Sequence, residues 1–279
     1  MKEYIFTLTY PTNFTATTVD ALMRQLLIPR KWRHFLRIEK KIQINNTYLP
    51  LNYAINPGDE VKIILDHVET FQHSYPPSGS LPDVIYENNN FLVINKPAGQ
   101  KTHPNLNETN TALNDCATYL KTSPFIVHRL DMLTHGLLLV AKNPAVVPIL
   151  NRQLTNKTLN REYLAWVDSK RVTRDKGTID LPIGLDPQDQ RKRMVRKDGL
   201  KAITHYQVVQ RTDKKAQLAI QLETGRTHQI RVHLASIGCP IIGDPLYNKN
   251  YQEGEKLELE AYRLTFQKPF SFEQVTVNL

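Results

Sequence analysis

The tightest constraint on this chain is the apolar run Leu137-Leu138-Leu139-Val140-Ala141. It is entered through Gly136 and preceded by Val127-His128-Arg129-Leu130-Asp131-Met132-Leu133-Thr134-His135. A run that short and that apolar, behind a glycine, reads as a strand covered on both faces. The charged segment before it then sits on a turn at the edge of a core. A carboxylate placed there costs a few kcal/mol unless it is paired, so Arg129 and Asp131 do not gather without a reason. Two residues apart in an extended segment, their side chains would share a face.

A chain of 279 residues is long enough for one sizeable core plus a smaller module. Its hydrophobic share of 41% and charged share of 23% are those of an ordinary soluble globular protein. No apolar stretch approaches the roughly 20 residues needed to span a bilayer. The N-terminus, Met1 to Tyr10, alternates like a strand and lacks a signal peptide's apolar block. A cytoplasmic protein is expected, with no membrane partner. Cys116 and Cys239 fit no C-x-x-C pattern and are expected to be reduced, half-buried small hydrophobes. Lys plus Arg at 36 against Asp plus Glu at 27 gives +9, a surplus that favours a polyanionic partner through counterion release.

The organisation divides into residues 1–70, a linker at 71–82 rich in Pro, Ser and Gly, and a larger domain at 83–279. In the first unit Thr17 or Thr18 caps a helix carrying Val19, Leu22, Met23, Leu26 and Leu27 at helical spacing. After Pro29, Arg30-Lys31-Trp32-Arg33-His34-Phe35-Leu36-Arg37 begins a second helix whose basic residues interleave with aromatics, a mixture suited to RNA backbone and base contacts. Short strands follow around an Asn45-Asn46 turn and a Pro57-Gly58-Asp59 turn. The larger domain opens with a hairpin of two strand-like runs, 84–87 and 91–99, about an asparagine turn. A helix is expected from Asn143-Pro144 through Leu154, a strand at 162–167, a turn-rich stretch at 178–190 and a dense basic hairpin at 191–201. Strands at 203–210 and 216–222 and a short helix carrying Ile230, Leu234 and Ile237 complete the reading.

Four motifs then stand in order: Asn95-Lys96-Pro97-Ala98-Gly99 with His103-Pro104; the His128 to Leu139 run; Arg161-Glu162-Tyr163-Leu164-Ala165; and Leu222 to Ala235 with Thr224-Gly225-Arg226-Thr227-His228-Gln229-Ile230-Arg231, continuing to Gly243-Asp244-Pro245-Leu246-Tyr247. Together they resemble the RluA-type pseudouridine synthases, and the first unit resembles an S-four-like RNA-binding domain, with Asn46 where that family usually has Gly. The resemblance implies an α+β fold: a mixed, largely antiparallel sheet with flanking helices and a central cleft, preceded by the small α/β module. It implies isomerisation of uridine to pseudouridine within RNA, ribosomal (large-subunit) or transfer RNA, by a monomer. The reaction detaches uracil at N1 and rejoins it through C5 with nothing leaving, so it calls for no cofactor or metal.

By position, Asp131 matches the family's essential aspartate. Three roles are open to it: attack on C1′, attack on the base, or abstraction of a sugar proton. Tyr163 matches a tyrosine that lies against the uracil, with relay of the C5 proton open to it as well, and Arg231 an arginine expected to pair with the catalytic carboxylate, with Arg226 its competitor. Arg129 is implied to fill the space left by the flipped nucleotide, and Arg193 and Lys201, in the basic hairpin, to bind substrate with Arg226. His128, His228 and His233 are read as structural, since no pair stands at i, i+4 and no thiolate is near. Two positions depart from the family: His135 where Ser is usual and Glu260 where His is usual. The rival readings are a non-catalytic RNA-binding or ribosome-assembly factor, and an unrelated hydrolase or phosphotransferase using His128 and Asp131, which lacks a G-x-S-x-G elbow, a P-loop and a metal-ligand cluster.

Overall fold

The computed structural model describes residues 2–70, 72 and 74–279. Its N-terminal stretch runs β1 (Tyr4–Thr9), β2 (Thr17–Thr18), α1 (Val19–Gln25), α2 (Arg30–Ile38), β3 (Ile42–Ile44), β4 (Ala54–Ile55) and β5 (Glu60–Leu65). β5 lies between β1 and β3 in an antiparallel sheet. Thr18 caps α1, its hydroxyl accepting from the Ala21 N–H at 3.2 Å, and Val19, Leu22 and Met23 face inward. Asn45 and Asn46 both adopt positive φ (48° and 65°), which accounts for an asparagine where glycine is usual. The aromatic–basic interleaving of α2 resolves differently from the expectation. Trp32 is buried in the core and Phe35 stacks on His67 at 4.2 Å, leaving Arg30, Lys31, His34 and Arg37 exposed. Sequence spacing placed the aromatics beside the bases; helical geometry turned Trp32 inward.

Phe71 and His73, in the expected linker, lie outside the described residues. The neighbouring residues carry no helix or strand but are strapped to the next element. The Tyr75 N–H donates to Ser123 Oγ at 2.9 Å, Asn114 Nδ2 to the Pro76 carbonyl at 2.7 Å, and Ser78 Oγ to Asp115 Oδ1 at 2.6 Å.

The larger part contains β6 (Asp83–Glu87), β7 (Phe91–Lys96), α3 (Ala112–Leu120), β8 (Phe125–Ile126), β9 (His135–Ala141), α4 (Val147–Thr155) and β10 (Asn160–Asp168). There follow β11 (Lys176–Asp180), β12 (Ile183–Leu185), β13 (Arg193–Val195), β14 (Ile203–Arg211), β15 (Lys215–Leu222), α5 (Gln229–Ser236), β16 (Leu259–Gln267) and β17 (Gln274–Asn278). Ten of these strands form one sheet in the order β11-β14-β15-β10-β16-β9-β7-β6, with β17 beside β16 and β8 beside β9. Every pairing is antiparallel except β16 with β9, which registers only Glu260 with His135 and Ala261 with Gly136. Gly136 makes that joint possible. Its φ is +112°, and a Cβ there would stand 2.4 Å from the Ala261 carbonyl oxygen. Beyond it the strands part, and β9 goes on with β7 and β8.

β9 is buried on both faces as its composition requires. Leu137, Leu139 and Ala141 join one core with α4, Phe266 and most of the N-terminal unit. Leu138 and Val140 join the other, with α3, β10, β15 and α5. The N-terminal unit is fastened to this body by Phe6 stacked on Phe270 at 3.7 Å. Arg152 of α4 adds hydrogen bonds to the carbonyls of Leu27 (3.1 Å) and Ile28 (3.0 Å).

Several expectations need correction. α4 begins at Val147, not Asn143-Pro144: the Asn143 side chain turns the loop by accepting from the Ala145 N–H at 3.1 Å, and Pro148 takes the first-turn position. The stretch 178–190 holds the end of β11 and all of β12. The basic segment is not a hairpin within 191–201; β13 pairs back onto β12 (Ile183 opposite Val195), and the Ile183 N–H donates to the Leu200 carbonyl at 2.9 Å. Both cysteines are free and buried rather than half-buried, and burial pushes the Cys116 thiol up to about 12.

Candidate active site

The loop from Val127 to Thr134 joins β8 to β9 and is held from below and behind. Thr102 Oγ1 donates to the Leu130 carbonyl (2.8 Å) and accepts from the Leu130 N–H (3.0 Å). The Gly99 N–H donates to the Met132 carbonyl at 2.8 Å. Lys96, wholly buried, spreads its ammonium over the carbonyls of Pro97 (2.8 Å), Gln100 (2.8 Å) and Met132 (3.3 Å). Burial drives its pKa down to about 8, opposed by the charge of Asp131. His128 is structural in this arrangement: its Nε2 accepts from the Leu139 N–H at 3.1 Å, and burial depresses it to about 3, so it stays neutral. The Thr134 N–H closes a turn onto the Asp131 carbonyl at 3.1 Å. The backbone under Asp131 is thus fixed while its side chain remains half-buried.

That side chain opens into a recess of about 70 Å³ lined by Arg129, Leu130, Asp131, Thr134, Arg161, Tyr163, Leu222, Gly225, Arg226, Gln229, Ile230, Arg231 and Leu259. The recess borders a cleft of about 940 Å³ that runs past Lys101, His103 and Met132 on one side and Asn151, Thr155 and Lys157 on the other. Five of the residues singled out from the sequence, Asp131, Tyr163, Arg231, Arg129 and Arg226, therefore meet in one place. Arg193 and Lys201 do not line it. Arg193 turns its Nη1 back onto the carbonyls of Gln190 (3.1 Å) and Lys192 (2.9 Å), and Lys201 offers its carbonyl to Arg226 Nε at 3.0 Å.

Tyr163 is delivered by β10 opposite a bulge in β16, where Tyr262 is the extra residue between the Glu162–Arg263 and Tyr163–Ala261 pairs. Burial raises its pKa, so the phenol keeps its proton at neutral pH. Arg231 lies on the buried face of α5, but its expected direct pairing with Asp131 is replaced by another. Its Nε and Nη2 each donate at 2.8 Å to Asp244, whose Oδ1 also accepts the N–H groups of Leu246 (2.9 Å) and Tyr247 (3.2 Å). The guanidinium lies over the Tyr247 ring, 5.1 Å from its centroid. Desolvation lowers the Arg231 pKa, but the bonds to Asp244 and the negative charges of Asp244 and Asp131 outweigh it and hold it above its ordinary value. Asp131 thus feels Arg231 through space, without an ion pair to a described residue.

Two histidines complete the support. The Tyr247 hydroxyl accepts from the Arg193 N–H (2.8 Å) and donates to His228 Nδ1 (2.8 Å), and burial lowers the His228 pKa. His233 donates from Nε2 to the Leu181 carbonyl (2.9 Å) and accepts at Nδ1 from Thr204 (2.9 Å). Neither is placed as a metal ligand. Among the described residues, the one group able to offer three metal ligands is Glu39, Asp66 and His67 in the N-terminal unit, and the Lys41 ammonium already bridges its two carboxylates. The two departures from the family pattern prove to be neighbours: His135 and Glu260 stand opposite each other at the parallel joint, Nε2 to Oε1 3.4 Å. Neither lines the recess.

Three residues of the site escaped the sequence reading. Lys96 and Asp244 sit inside recognised motifs, but nothing in the sequence shows that one supports the Asp131 loop and the other holds Arg231. Arg161 carries a usable signal, since two residues before Tyr163 on a strand it must share that face.

Comparison with known proteins identifies the family. The sequence profile described as RNA pseudouridylate synthase matches residues 90–236, and that of the RluD ribosomal pseudouridine synthase N-terminal domain matches residues 6–61. The chain is 40% identical over 216 residues to the uncharacterized RNA pseudouridine synthase YlyB of Bacillus subtilis, spanning 74% of this chain and 70% of that one. It is 38% identical over 257 residues to the ribosomal large subunit pseudouridine synthase D of Nitrosomonas europaea, covering 89% and 74%. In fold it is similar to human RNA pseudouridylate synthase domain containing 1, with a TM-score of 0.62 at 24% identity over 73% of this chain and 85% of that one. With the matched profile covering more than half its length, the chain belongs to the RNA pseudouridylate synthase family and is an RNA-directed isomerase.

Proposed function

We propose that the protein converts uridines of large-subunit ribosomal RNA to pseudouridine, with Asp131 as the essential residue. The observation that carries this reading is a lone carboxylate that shares a recess with Tyr163, four arginines and apolar side chains, on a loop that Lys96, Thr102 and His128 hold in place. A stacked base cannot enter such a recess, so the target nucleotide swings out of its helix, and Arg129, exposed at the mouth, takes the vacated space. The Asp131 carboxylate assists scission of the C1′–N1 bond. The uracil, kept against the Tyr163 ring, turns until C5 faces C1′. C5 gives up its proton as the new bond forms and N1 gains one, so atoms balance within the nucleotide. Because Tyr163 keeps its proton, its role is to pack against the ring and donate a hydrogen bond, with the proton from C5 passing to a base other than a phenolate. The large-subunit substrate is supported by the relatives whose names specify it, from Nitrosomonas europaea and Xanthomonas campestris. Arg193 and Lys201 act outside the recess, on phosphates of the surrounding RNA.

The test is an Asp131→Ala variant, which should retain RNA binding yet form no pseudouridine; product from that variant overturns the role. Mapping pseudouridines in cells lacking the protein should show loss in large-subunit ribosomal RNA. Loss confined to transfer RNA would reassign the substrate.

A further inference from the structure

Arg161 is a half-buried cation lining the recess to which no described residue supplies a side-chain partner. Several other partly or wholly buried basic side chains are engaged: Arg33 with Asp20, Lys142 with Glu87, Arg152 with two carbonyls, Arg231 with Asp244. Among the described residues Arg161 has neither an ion pair nor a side-chain hydrogen bond, and its guanidinium nitrogens stay open to solvent. It lines the recess and the cleft alike, so it stands at the boundary between them. Its charge is felt by His128 behind the loop and by Tyr163 within the recess. Gly225 leaves it room: a Cβ there would sit 3.2 Å from Nη2 and 3.3 Å from Nη1. Gly225 has no positive φ to explain the glycine, so the close approach is the reason for it.

Resting on the uridine-isomerising reading of this site, we propose that Arg161 is the clamp for a backbone phosphate next to the flipped nucleotide. A nucleotide whose base fills the recess leaves its two flanking phosphates at the entrance, where Arg161 stands. A guanidinium fork matches two phosphate oxygens, and the resulting charge-assisted pair supplies the missing partner. Arg161 is then a substrate-positioning residue, distinct from Arg129, which enters the vacated stack, and from Arg231, which is committed to Asp244.

The experiment uses a short RNA spanning the uridine mapped as above, whichever RNA it lies in, with each flanking phosphate replaced in turn by a neutral methylphosphonate. With the wild-type protein, one replacement should raise KM roughly 10- to 100-fold, the weight of a hydrogen bond to a charged group. Arg161→Gln should lose a comparable factor on unmodified RNA and suffer no further loss on the neutral one, with Arg161→Lys intermediate. In an Asp131→Ala background, where chemistry is removed, Arg161→Gln should lower the slope of log binding constant against log salt by about 0.7, the value for one single-strand phosphate. Gly225→Ala, which crowds the guanidinium without removing its charge, should weaken binding in the same direction. An equal methylphosphonate penalty in wild type and Arg161→Gln, or an unchanged salt slope, overturns the clamp. A wild-type protein that modifies no RNA at all overturns the functional reading instead.

Discussion

Replacing Asp244 by Ala should cost this protein more stability than any change on the rim of the cleft. Asp244 and Arg231 are 0% and 2% exposed at their side chains, so neither end of the pair is relieved by water. Asp244 accepts two guanidinium N–H bonds and two backbone N–H bonds, all between 2.8 and 3.2 Å. Removing one partner of a buried pair costs about 3–5 kcal/mol, because the remaining charge stays buried and alone. Against a total stability of about 5–15 kcal/mol that is a large fraction, and urea unfolding should show it as a clear fall in midpoint. Replacing both ends with apolar groups of similar size is often near neutral, so Asp244→Leu with Arg231→Met should recover much of what Asp244→Ala loses. Activity need not return with it, since Arg231 also places positive charge near Asp131. Stability recovered without activity separates the two contributions of that arginine. The reasoning is refuted if Asp244→Ala unfolds within about 0.5 kcal/mol of wild type, the range of an ordinary surface change, or if the double variant is no more stable than the single one.

Two further predictions follow from the floor of the site. Gly136→Ala forces a Cβ against the Ala261 carbonyl at a backbone conformation L-residues rarely adopt; it should unfold at lower urea by about 2 kcal/mol or more, and a wild-type midpoint would show the parallel joint to be pliant. Lys96 gives a pH signature. The unfolded chain holds its proton until about pH 10.4 while the folded one releases it near 8, so the unfolded state binds more protons in that window. The stability tied to this group is fully present above the unfolded value and is lost as pH falls through 8, an amount of about 3 kcal/mol. Wild type minus Lys96→Met stability should therefore rise between pH 8 and 10; a flat difference would mean the ammonium is not desolvated as its burial implies.

The elements that could be read from sequence were those whose pattern is set locally. β9 announced itself by composition, α1 by Thr18 and helical spacing, and Asn45-Asn46 by the left-handed turn it forms. Asp131, Tyr163 and Arg129 were placed by motif, and the structure brings them together. What escaped depends on pairing between distant segments. α4 starts after Asn143-Pro144 because the Asn143 side chain makes a turn there instead of a cap. The basic stretch 191–201 looked self-contained, yet β13 finds its partner in β12 across a polar loop. Arg231 was assigned to Asp131 because both lay in recognised motifs, and only the fold shows that Asp244 reaches it first. The pairing of His135 with Glu260 is of the same kind: two substitutions 125 residues apart in sequence by their numbering that become one contact when β16 lies beside β9.

The parallel joint between β9 and β16 also explains why the Asp131 loop is where it is. Antiparallel neighbours bond along their whole length, as β7 does with β9 through six residue pairs from Phe91–Ala141 to Lys96–Gly136. The β16–β9 contact ends after two, and the sheet opens at the end where the Asp131 loop enters. The loop at that opening is held from the core by Lys96, which bonds the Met132 carbonyl, while the Asp131 carboxylate still faces the recess and the cleft. The same cleft is bordered by α4, whose Asn151 and Thr155 line it while Arg152, between them, grips the carbonyls at the end of α1. The N-terminal unit is therefore seated on a helix that is itself a wall of the site. The placing of the N-terminal unit is thereby tied to a wall of the cleft, while no described residue of that unit lines the recess around Asp131.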